Sequence, residues 1–191
     1  MADFMSTLND ANGEEELHPV ALTIAGSDSG GGAGVQADLK TFAALGVHGT
    51  SALTLVTAQN TQGVEGLQML PGEAVRRQYQ AVLGDFEVNA AKTGALGNAE
   101  MIGVVLECLQ DESLDQLVID PVMVSKHGDP LMVEEAQKLI RDELLQHALV
   151  ATPNPHEAEI LAGQTVGGPD SMREAAKRIF DHGPEHVLIK G

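Results

Sequence analysis

Residue types that could bind metal and phosphate follow predicted strands in the second half of the chain. Asp120 ends an apolar run, where a lone carboxylate suits a magnesium or phosphate site. Asn154 and Glu157 are three residues apart at the start of a short predicted helix. Such a pair suits a hydrated magnesium bound to phosphates, but taken alone it is better explained as a capping box. Lys190 ends the last predicted strand, where it could meet a phosphate or simply be an exposed lysine.

A glycine-rich loop, residues 26–34, follows the first predicted strand and opens a helix. Glycines let a ligand approach the backbone, whose free N–H groups could hold its polar atoms. The loop is not a P-loop, because no Lys-Ser or Lys-Thr follows at the required place. A dinucleotide-binding loop is also disfavoured, since no acidic residue lies between Asp38 and Glu65.

Polar residues close to this loop are candidates for contacts with a small heterocycle. Gln59, Asn60 and Thr61 directly follow the second predicted strand, where amides could read the donor and acceptor edge of a ring. Ordinary turn chemistry explains these three residues equally well. Asp38 lies in the first turns of the helix, and an acid there is most simply a partner of the helix dipole.

Strands alternating with amphipathic helices must position these residues. Predicted strands cover residues 20–25, 51–58, 90–93, 117–122, 149–152 and 186–190. Predicted helices cover residues 35–45, 73–83, 99–109, 133–145, 156–161 and 172–180, with N-caps at Asn98 and at Asp170 or Ser171. This alternation predicts right-handed βαβ units and a parallel sheet covered on both faces. Ligands of such sheets bind outside the carboxyl ends of the strands.

Composition narrows the class of protein. The formal net charge of −17 argues against non-specific nucleic-acid binding and against an anionic membrane surface. No apolar run approaches the roughly 20 residues that span a bilayer. Cys108, the only cysteine, cannot form an internal disulfide, which favours a reducing compartment and a cytoplasmic location. We expect residues 1–18 to form a disordered acidic tail and residues 19–191 to form one domain.

Seven sequence blocks, in order from about residue 20 onward, resemble hydroxymethylpyrimidine/phosphomethylpyrimidine kinases of thiamin synthesis. Each block is weak alone, but together they are specific. They are ALTIAGSD through GGGAGVQADLKTF (21–42), AQNT (58–61), KTG (92–94), DPVM (120–123), GDPL (128–131), TPN (152–154) with Glu157, and LIKG (188–191).

The resemblance implies a ribokinase-like, three-layer α/β/α fold with a mostly parallel sheet, and ATP with Mg²⁺ as the phosphoryl donor. The residues that match the family's pyrimidine site are Gly26, Asp38, Gln59 and Val122. Those that match its magnesium and phosphate motifs are Asn154, Glu157 and Lys190, beside the candidate metal residue Asp120. The resemblance further implies that the Gln59 side chain bonds the aminopyrimidine.

Two departures from the family pattern change what we expect of this chain. Members carry a Gly-Thr-Gly-Cys or Gly-Ser-Gly-Cys loop well after the Lys-Gly strand, and that loop supplies the anion hole and the group thought to activate the substrate hydroxyl. This sequence ends first, so we expect a C-terminally truncated, nearly inactive chain whose catalytic residue is unknown. Ala95 also stands where members often have Met.

The expected reaction is the ATP-dependent phosphorylation of 4-amino-5-hydroxymethyl-2-methylpyrimidine and of its monophosphate. A pyridoxine or pyridoxal kinase is the alternative within the same class. A non-catalytic pyrimidine-binding fragment is the alternative from another class. The expected partner is thus a small molecule rather than a nucleic acid or a membrane, and the superfamily resemblance suggests a homodimer.

Overall fold

A twisted sheet of seven strands organises the part of the chain that the structure, a computed structural model, describes: residues 18–124 and 131–191. The predicted tail, apart from His18, and residues 128–130 of the GDPL block lie outside the described residues. The strands are β1 (Val20–Asp28), β2 (His48–Gln59), β3 (Val64–Met69), β4 (Val88–Thr93), β5 (Leu117–Ile119), β6 (Val150–Ala151) and β7 (His186–Val187).

Helices connect these strands in the alternation that the sequence predicts. They are α1 (Gly34–Ala44), α2 (Gly72–Leu83), α3 (Ala99–Asp111), α4 (Glu134–Asp142), a 3-10 helix (Leu144–His147), α5 (Pro155–Ala162) and α6 (Pro169–Phe180). In the described ranges, no helix combines the length and the apolar character that crossing a membrane requires.

The strands follow the order β3-β2-β1-β4-β5-β6-β7, and every neighbouring pair is parallel except β2 with β3. The predicted parallel α/β sheet is therefore confirmed. The antiparallel strand β3 was not predicted. Its sequence, VEGLQM, mixes apolar and polar residues and is mostly exposed at the edge of the sheet, so it lacks the continuous apolar run of a buried strand.

The hydrophobic core lies between the sheet and helices α2, α3 and α4, and it includes buried residues of α5 and α6. Leu22 and Ile24 of β1, with Leu117 and Ile119 of β5, are almost completely buried there. Side chains alternate along a strand, so Thr23, between Leu22 and Ile24, points to the opposite face, where it contacts α1. Helices thus cover both faces of the sheet, as predicted.

Element boundaries differ from prediction where backbone contacts decide them. The helix expected over residues 133–145 is α4 followed by a separate 3-10 turn. The last strand is only His186–Val187, although Leu188 N still donates to Ala151 O (2.8 Å) and Lys190 N to Pro153 O (2.9 Å). The chain beyond β7 is therefore held beside the chain beyond β6.

The helix caps illustrate one confirmed prediction and one wrong prediction. Asn98 caps α3, because its side chain accepts a hydrogen bond from Met101 N at 2.8 Å. Helix α6 begins at Pro169, earlier than a cap at Asp170 or Ser171 would allow. Ser171 lies inside the first turn, and its Oγ accepts from the backbone N–H groups of Gly167 and Gly168, both at 3.0 Å.

Candidate functional site

The candidate residues converge on one edge of the sheet because the strands that carry them are parallel. Gln59 is the last residue of β2, and Asp28 is the last residue of β1. Asp120 directly follows β5, and Asn154 follows β6. Parallel strands end at the same edge, where open α/β sheets bind ligands. The structure therefore brings together residues that are far apart in the sequence.

The glycine loop, residues 26–34, is closed by the side chain of Asp28. Asp28 is only 6% exposed, and its carboxylate accepts hydrogen bonds from Gly30 N (2.8 Å), Gly32 N (3.0 Å) and Ala33 N (2.8 Å). Gly31 N donates to Asp28 O at 2.9 Å. The expectation of free N–H groups along this loop is therefore wrong for residues 30–33, whose donors are used internally.

Two glycines of the loop allow strand β1 and helix α1 to approach each other. Gly34 has a φ of +56°, and a Cβ on it would lie 2.3 Å from Gly26 O. Gly26, predicted to line the pyrimidine site, is itself buried, and a Cβ there would lie 2.6 Å from Leu55 Cδ1. Gly34 is therefore restricted to glycine by backbone contact, whereas a side chain at Gly26 would require Leu55 to shift.

Gln59 lies opposite the glycine loop and is tied to it through its backbone. Ser29 Oγ donates to Gln59 O at 2.7 Å and accepts from Gln59 N at 2.8 Å. The Gln59 side chain is only weakly engaged: its Oε1 lies 3.3 Å from Thr57 Oγ1, whose single proton is directed to Ser27 O at 2.8 Å. The backbone of Gln59 is thus fixed, while its half-buried amide remains available to a ligand.

Asp38, the second candidate for the pyrimidine site, forms an ion pair between helix α1 and strand β4. Its Oδ2 accepts from Lys92 Nζ at 2.9 Å and from Thr23 Oγ1 at 2.6 Å. The Lys92 and Asp38 side chains are 21% and 17% exposed, so solvent screens the pair only partly. Asp38 is therefore more than a dipole partner of its own helix.

We expect Lys92→Met to lower the free energy of unfolding by about 2 kcal/mol, because it leaves the Asp38 carboxylate half-buried without its cation. Adding Asp38→Asn should recover part of this loss, since it removes the uncompensated charge. Urea denaturation of the two single variants and the double variant measures both effects.

Lys138→Met is the matched control, because Lys138 pairs with Glu134 on the exposed surface of α4. This control should leave the midpoint nearly unchanged. A Lys92→Met variant as stable as the control would show that the Asp38 pair does not stabilise the fold.

At the other end of the edge, Asp120 and Lys190 meet directly. Lys190 Nζ donates to Asp120 Oδ1 at 2.8 Å, which joins the chain after β5 to the chain after β7. The Lys190 side chain is 45% exposed and the Asp120 side chain 26% exposed. A cation and a carboxylate, each partly accessible, can therefore be reached here by a phosphate and by a hydrated metal ion.

Asn154 and Glu157 form the capping box that the sequence suggested. Asn154 Oδ1 accepts from Glu157 N at 3.0 Å, and Glu157 Oε2 accepts from Asn154 N at 2.8 Å. Glu157 is only 2% exposed, and its Oε1 also accepts from Met123 N at 3.4 Å. Burial raises the pKa of Glu157, and the Asp120 carboxylate raises it further.

The remaining candidate for the pyrimidine site, Val122, lies in the extended segment after β5. It is half-buried, and its N–H donates to Asp120 O at 2.9 Å. Ala95 lies after β4, and its carbonyl accepts from Thr54 Oγ1 at 2.7 Å. Both residues thus lie next to strand ends at the same edge as Gln59 and Asp120.

Sequence reasoning missed Asp28 and Lys92, which hold the glycine loop and Asp38 in place. An acid directly after a strand and before several glycines is a signal for loop closure, because a carboxylate can accept several backbone N–H bonds. Lys92 opens the KTG block, but its spacing gave no signal that it pairs with Asp38. Within the described ranges, no three His, Cys, Asp or Glu residues are grouped as metal ligands.

Comparison with known proteins agrees with this geometry. The sequence model of the family described as phosphomethylpyrimidine kinase matches residues 28–191. A hydroxymethylpyrimidine/phosphomethylpyrimidine kinase of Streptomyces coelicolor is 52% identical over 173 residues, which are 91% of this chain and 64% of that protein. The chain thus spans somewhat less than two thirds of that relative's length.

Solved structures give the same result. The crystal structure of a phosphomethylpyrimidine kinase from Clostridium difficile superposes with a TM-score of 0.86 at 42% identity, covering 91% of this chain and 75% of that one. A pyridoxal kinase from Staphylococcus aureus in complex with pyridoxal superposes with a TM-score of 0.82 at 37% identity, covering 92% and 66%. The fold is therefore the ribokinase-like α/β fold that the sequence predicted. From the family match and the sequence identity together, this chain belongs to the phosphomethylpyrimidine kinase family.

Proposed function

We propose that this chain is the substrate-binding part of a kinase of thiamin biosynthesis. The complete protein would transfer the γ-phosphoryl group of ATP to hydroxymethylpyrimidine and to its monophosphate. The family match and the names of the similar proteins support the reaction class. Because the chain spans 64% of the Streptomyces relative, the reaction is proposed for the whole protein.

The observation that carries this proposal is the distribution of polar groups along the carboxyl edge of the sheet. The end near β1 and β2 offers a ligand the glycine loop and the neutral Gln59 amide, because the carboxylates there are already engaged, Asp28 by backbone N–H groups and Asp38 by Lys92. Charged groups, Asp120 and Lys190, follow β5 and β7. Three strand spacings, roughly 14 Å, separate β2 from β5. That span suits a small neutral ring at one end and phosphates at the other.

At the neutral end, the Gln59 amide can donate to a ring nitrogen and accept from an exocyclic amino group. Gly26 leaves the backbone of β1 without a side chain two residues before the strand ends, and Val122 offers a half-buried apolar surface. The Asp38 carboxylate would act from the first turns of α1, held there by Lys92. These four residues are our proposed pyrimidine site.

At the charged end, Lys190 would contact a phosphate, and Asp120 would hold a hydrated Mg²⁺. The Asp120 carboxylate is partly exposed to solvent, which suits Mg²⁺ because this ion usually keeps several of its water ligands. Bound Mg²⁺ would neutralise charge on the phosphates during transfer. Asn154 and Glu157 would act on this site through their position and charge, because direct coordination would break their capping box.

A pyridoxal kinase is the second candidate, because solved pyridoxal kinases share the fold at 37% identity. The pyrimidine is favoured, since identity to the Streptomyces hydroxymethylpyrimidine/phosphomethylpyrimidine kinase is higher, at 52%. Competition between hydroxymethylpyrimidine and pyridoxal for the same site separates the two candidates.

The test measures hydroxymethylpyrimidine binding by calorimetry and ADP release with ATP and Mg²⁺, on the natural chain and on Gln59→Glu. We expect the natural chain to bind hydroxymethylpyrimidine more tightly than pyridoxal. We expect Gln59→Glu to weaken pyrimidine binding at least about tenfold, because a carboxylate cannot donate to the ring nitrogen.

Gln62→Glu is the matched control, because Gln62 is exposed in the turn between β2 and β3. It introduces the same charge near the site and should bind like the natural chain. Pyridoxal binding in preference to the pyrimidine would support the second candidate. Failure of both compounds to bind would contradict the proposal. Binding without ADP release would identify the chain as a non-catalytic pyrimidine-binding part.

A further inference from the structure

We propose that Asp28 and Ser29 are positioning residues, which together fix the glycine loop against Gln59 before any ligand arrives. Neither residue is needed to touch the ligand. Naming the ligand as a pyrimidine rests on the proposed function, whereas the positioning itself rests on contacts within the chain.

The first half of this device is the buried Asp28 carboxylate. The carboxylate oxygens accept hydrogen bonds from three backbone N–H groups of the loop. The backbone carbonyl of Asp28 accepts a fourth, from the N–H of Gly31. Its backbone N–H donates to Gln36 Oε1 at 2.9 Å, and Gln36 Nε2 donates to Ser27 Oγ at 2.6 Å. The loop is thus connected to β1 on one side and to the first turn of α1 on the other.

The second half is the exposed Ser29 hydroxyl, which bonds both backbone groups of Gln59. A second link lies beside it, since Thr57 Oγ1 donates to Ser27 O at 2.8 Å. Asp28 determines the path of the chain that presents Ser29, and Ser29 determines where the backbone of Gln59 lies. Asp28 therefore affects the position of Gln59 through Ser29, and Ser29 affects it directly.

This arrangement assigns the recognition of a ligand to side chains rather than to the loop backbone. Gly30, Gly32 and Ala33 are exposed, yet their N–H groups point inward to Asp28. The loop can therefore offer shape and carbonyl oxygens, but not these donors. The Gln59 amide, held beside the loop by Ser29, is a side-chain donor that a heterocycle can use, so its placement contributes to specificity.

The test uses Asp28→Asn, which keeps the shape of the side chain but replaces one oxygen with an NH₂ group. We expect the remaining oxygen to stay with Gly32 and Ala33, so that the NH₂ group opposes the N–H of Gly30. Amide hydrogen exchange should then accelerate about tenfold at Gly30 and, more weakly, at Gln59. Hydroxymethylpyrimidine binding should weaken by about tenfold.

Asp85→Asn is the control, because Asp85 is exposed after α2 and makes the same change of charge. It should alter neither exchange nor binding. Ser29→Ala should accelerate exchange at Gln59 while leaving Gly30 protected. The double variant Asp28→Asn/Ser29→Ala should bind no more weakly than the poorer single variant, because both act through Gln59.

Unchanged exchange at Gly30 and Gln59 in these variants would overturn the proposal, whatever the ligand. Additive losses of binding in the double variant would also overturn it, because they would mean that the two residues act separately. If the natural chain binds no pyrimidine, the proposed function fails, but the exchange measurements still decide the positioning role.

Discussion

Gly34→Ala is expected to lower the free energy of unfolding by about 3 kcal/mol. The left-handed backbone of Gly34 disfavours any side chain, and a Cβ at this position would lie 2.3 Å from Gly26 O. Backbone cannot move aside as a flexible side chain can, so β1 and α1 would have to separate. Urea denaturation measures the loss, and weaker pyrimidine binding should accompany it.

Gly103→Ala is the matched control for this variant. Gly103 lies inside α3, and a Cβ there meets nothing within 4 Å. We expect this change to raise the free energy of unfolding by about 0.5–1 kcal/mol, since alanine is the better helix former. Equal effects of the two substitutions would contradict the close approach of α1 to Gly26.

Glu157→Gln is expected to remove a pH dependence of stability from the natural chain. Burial raises the pKa of Glu157 above its ordinary value of 4.5, so the folded chain keeps the proton to higher pH than the unfolded chain. The protonated Glu157 side chain therefore contributes stability that is fully present below pH 4.5. This contribution is lost as the pH rises through the pKa of Glu157 in the folded chain. The stability of Glu157→Gln relative to the natural chain should therefore increase with pH across that window.

Urea midpoints measured at a series of pH values above 4.5 test this expectation. Glu185→Gln, at an exposed position before β7, is the control and should follow the natural chain at every pH. Glu157→Ala should instead cost about 2–3 kcal/mol, because it leaves Asn154 N without its acceptor and opens a cavity. A pH profile of Glu157→Gln parallel to that of the natural chain would contradict the raised pKa.

The alternation of apolar runs and helices was sufficient to predict the parallel sheet and the edge where the candidate residues meet. Asp120 and Lys190 are 70 residues apart in the sequence, yet the rule that parallel strands end together predicts that they lie on one edge. Their direct ion pair was not predicted, because two β6–β7 hydrogen bonds beyond the regular strands determine the exact path of Lys190.

The details of the pyrimidine end could not be predicted for a different reason. Free N–H groups are the natural interpretation of a glycine loop, but in the folded chain the Asp28 carboxylate binds them. The partner of Asp38 lies 54 residues away on β4, at a distance where sequence spacing carries no information. Local signals, such as Asn98 before α3 and the Asn154–Glu157 box, were predicted correctly because their partners lie within one helical turn.

The order of the strands also affects how the protein can fold while the ribosome is making it. Once β1, β2 and β4 have paired, each later strand adds beside the one synthesised just before it: β5 beside β4, β6 beside β5, and β7 beside β6. Each of these later strands therefore has a pairing partner that is synthesised before it, so its pairing does not have to wait for a more distant part of the chain.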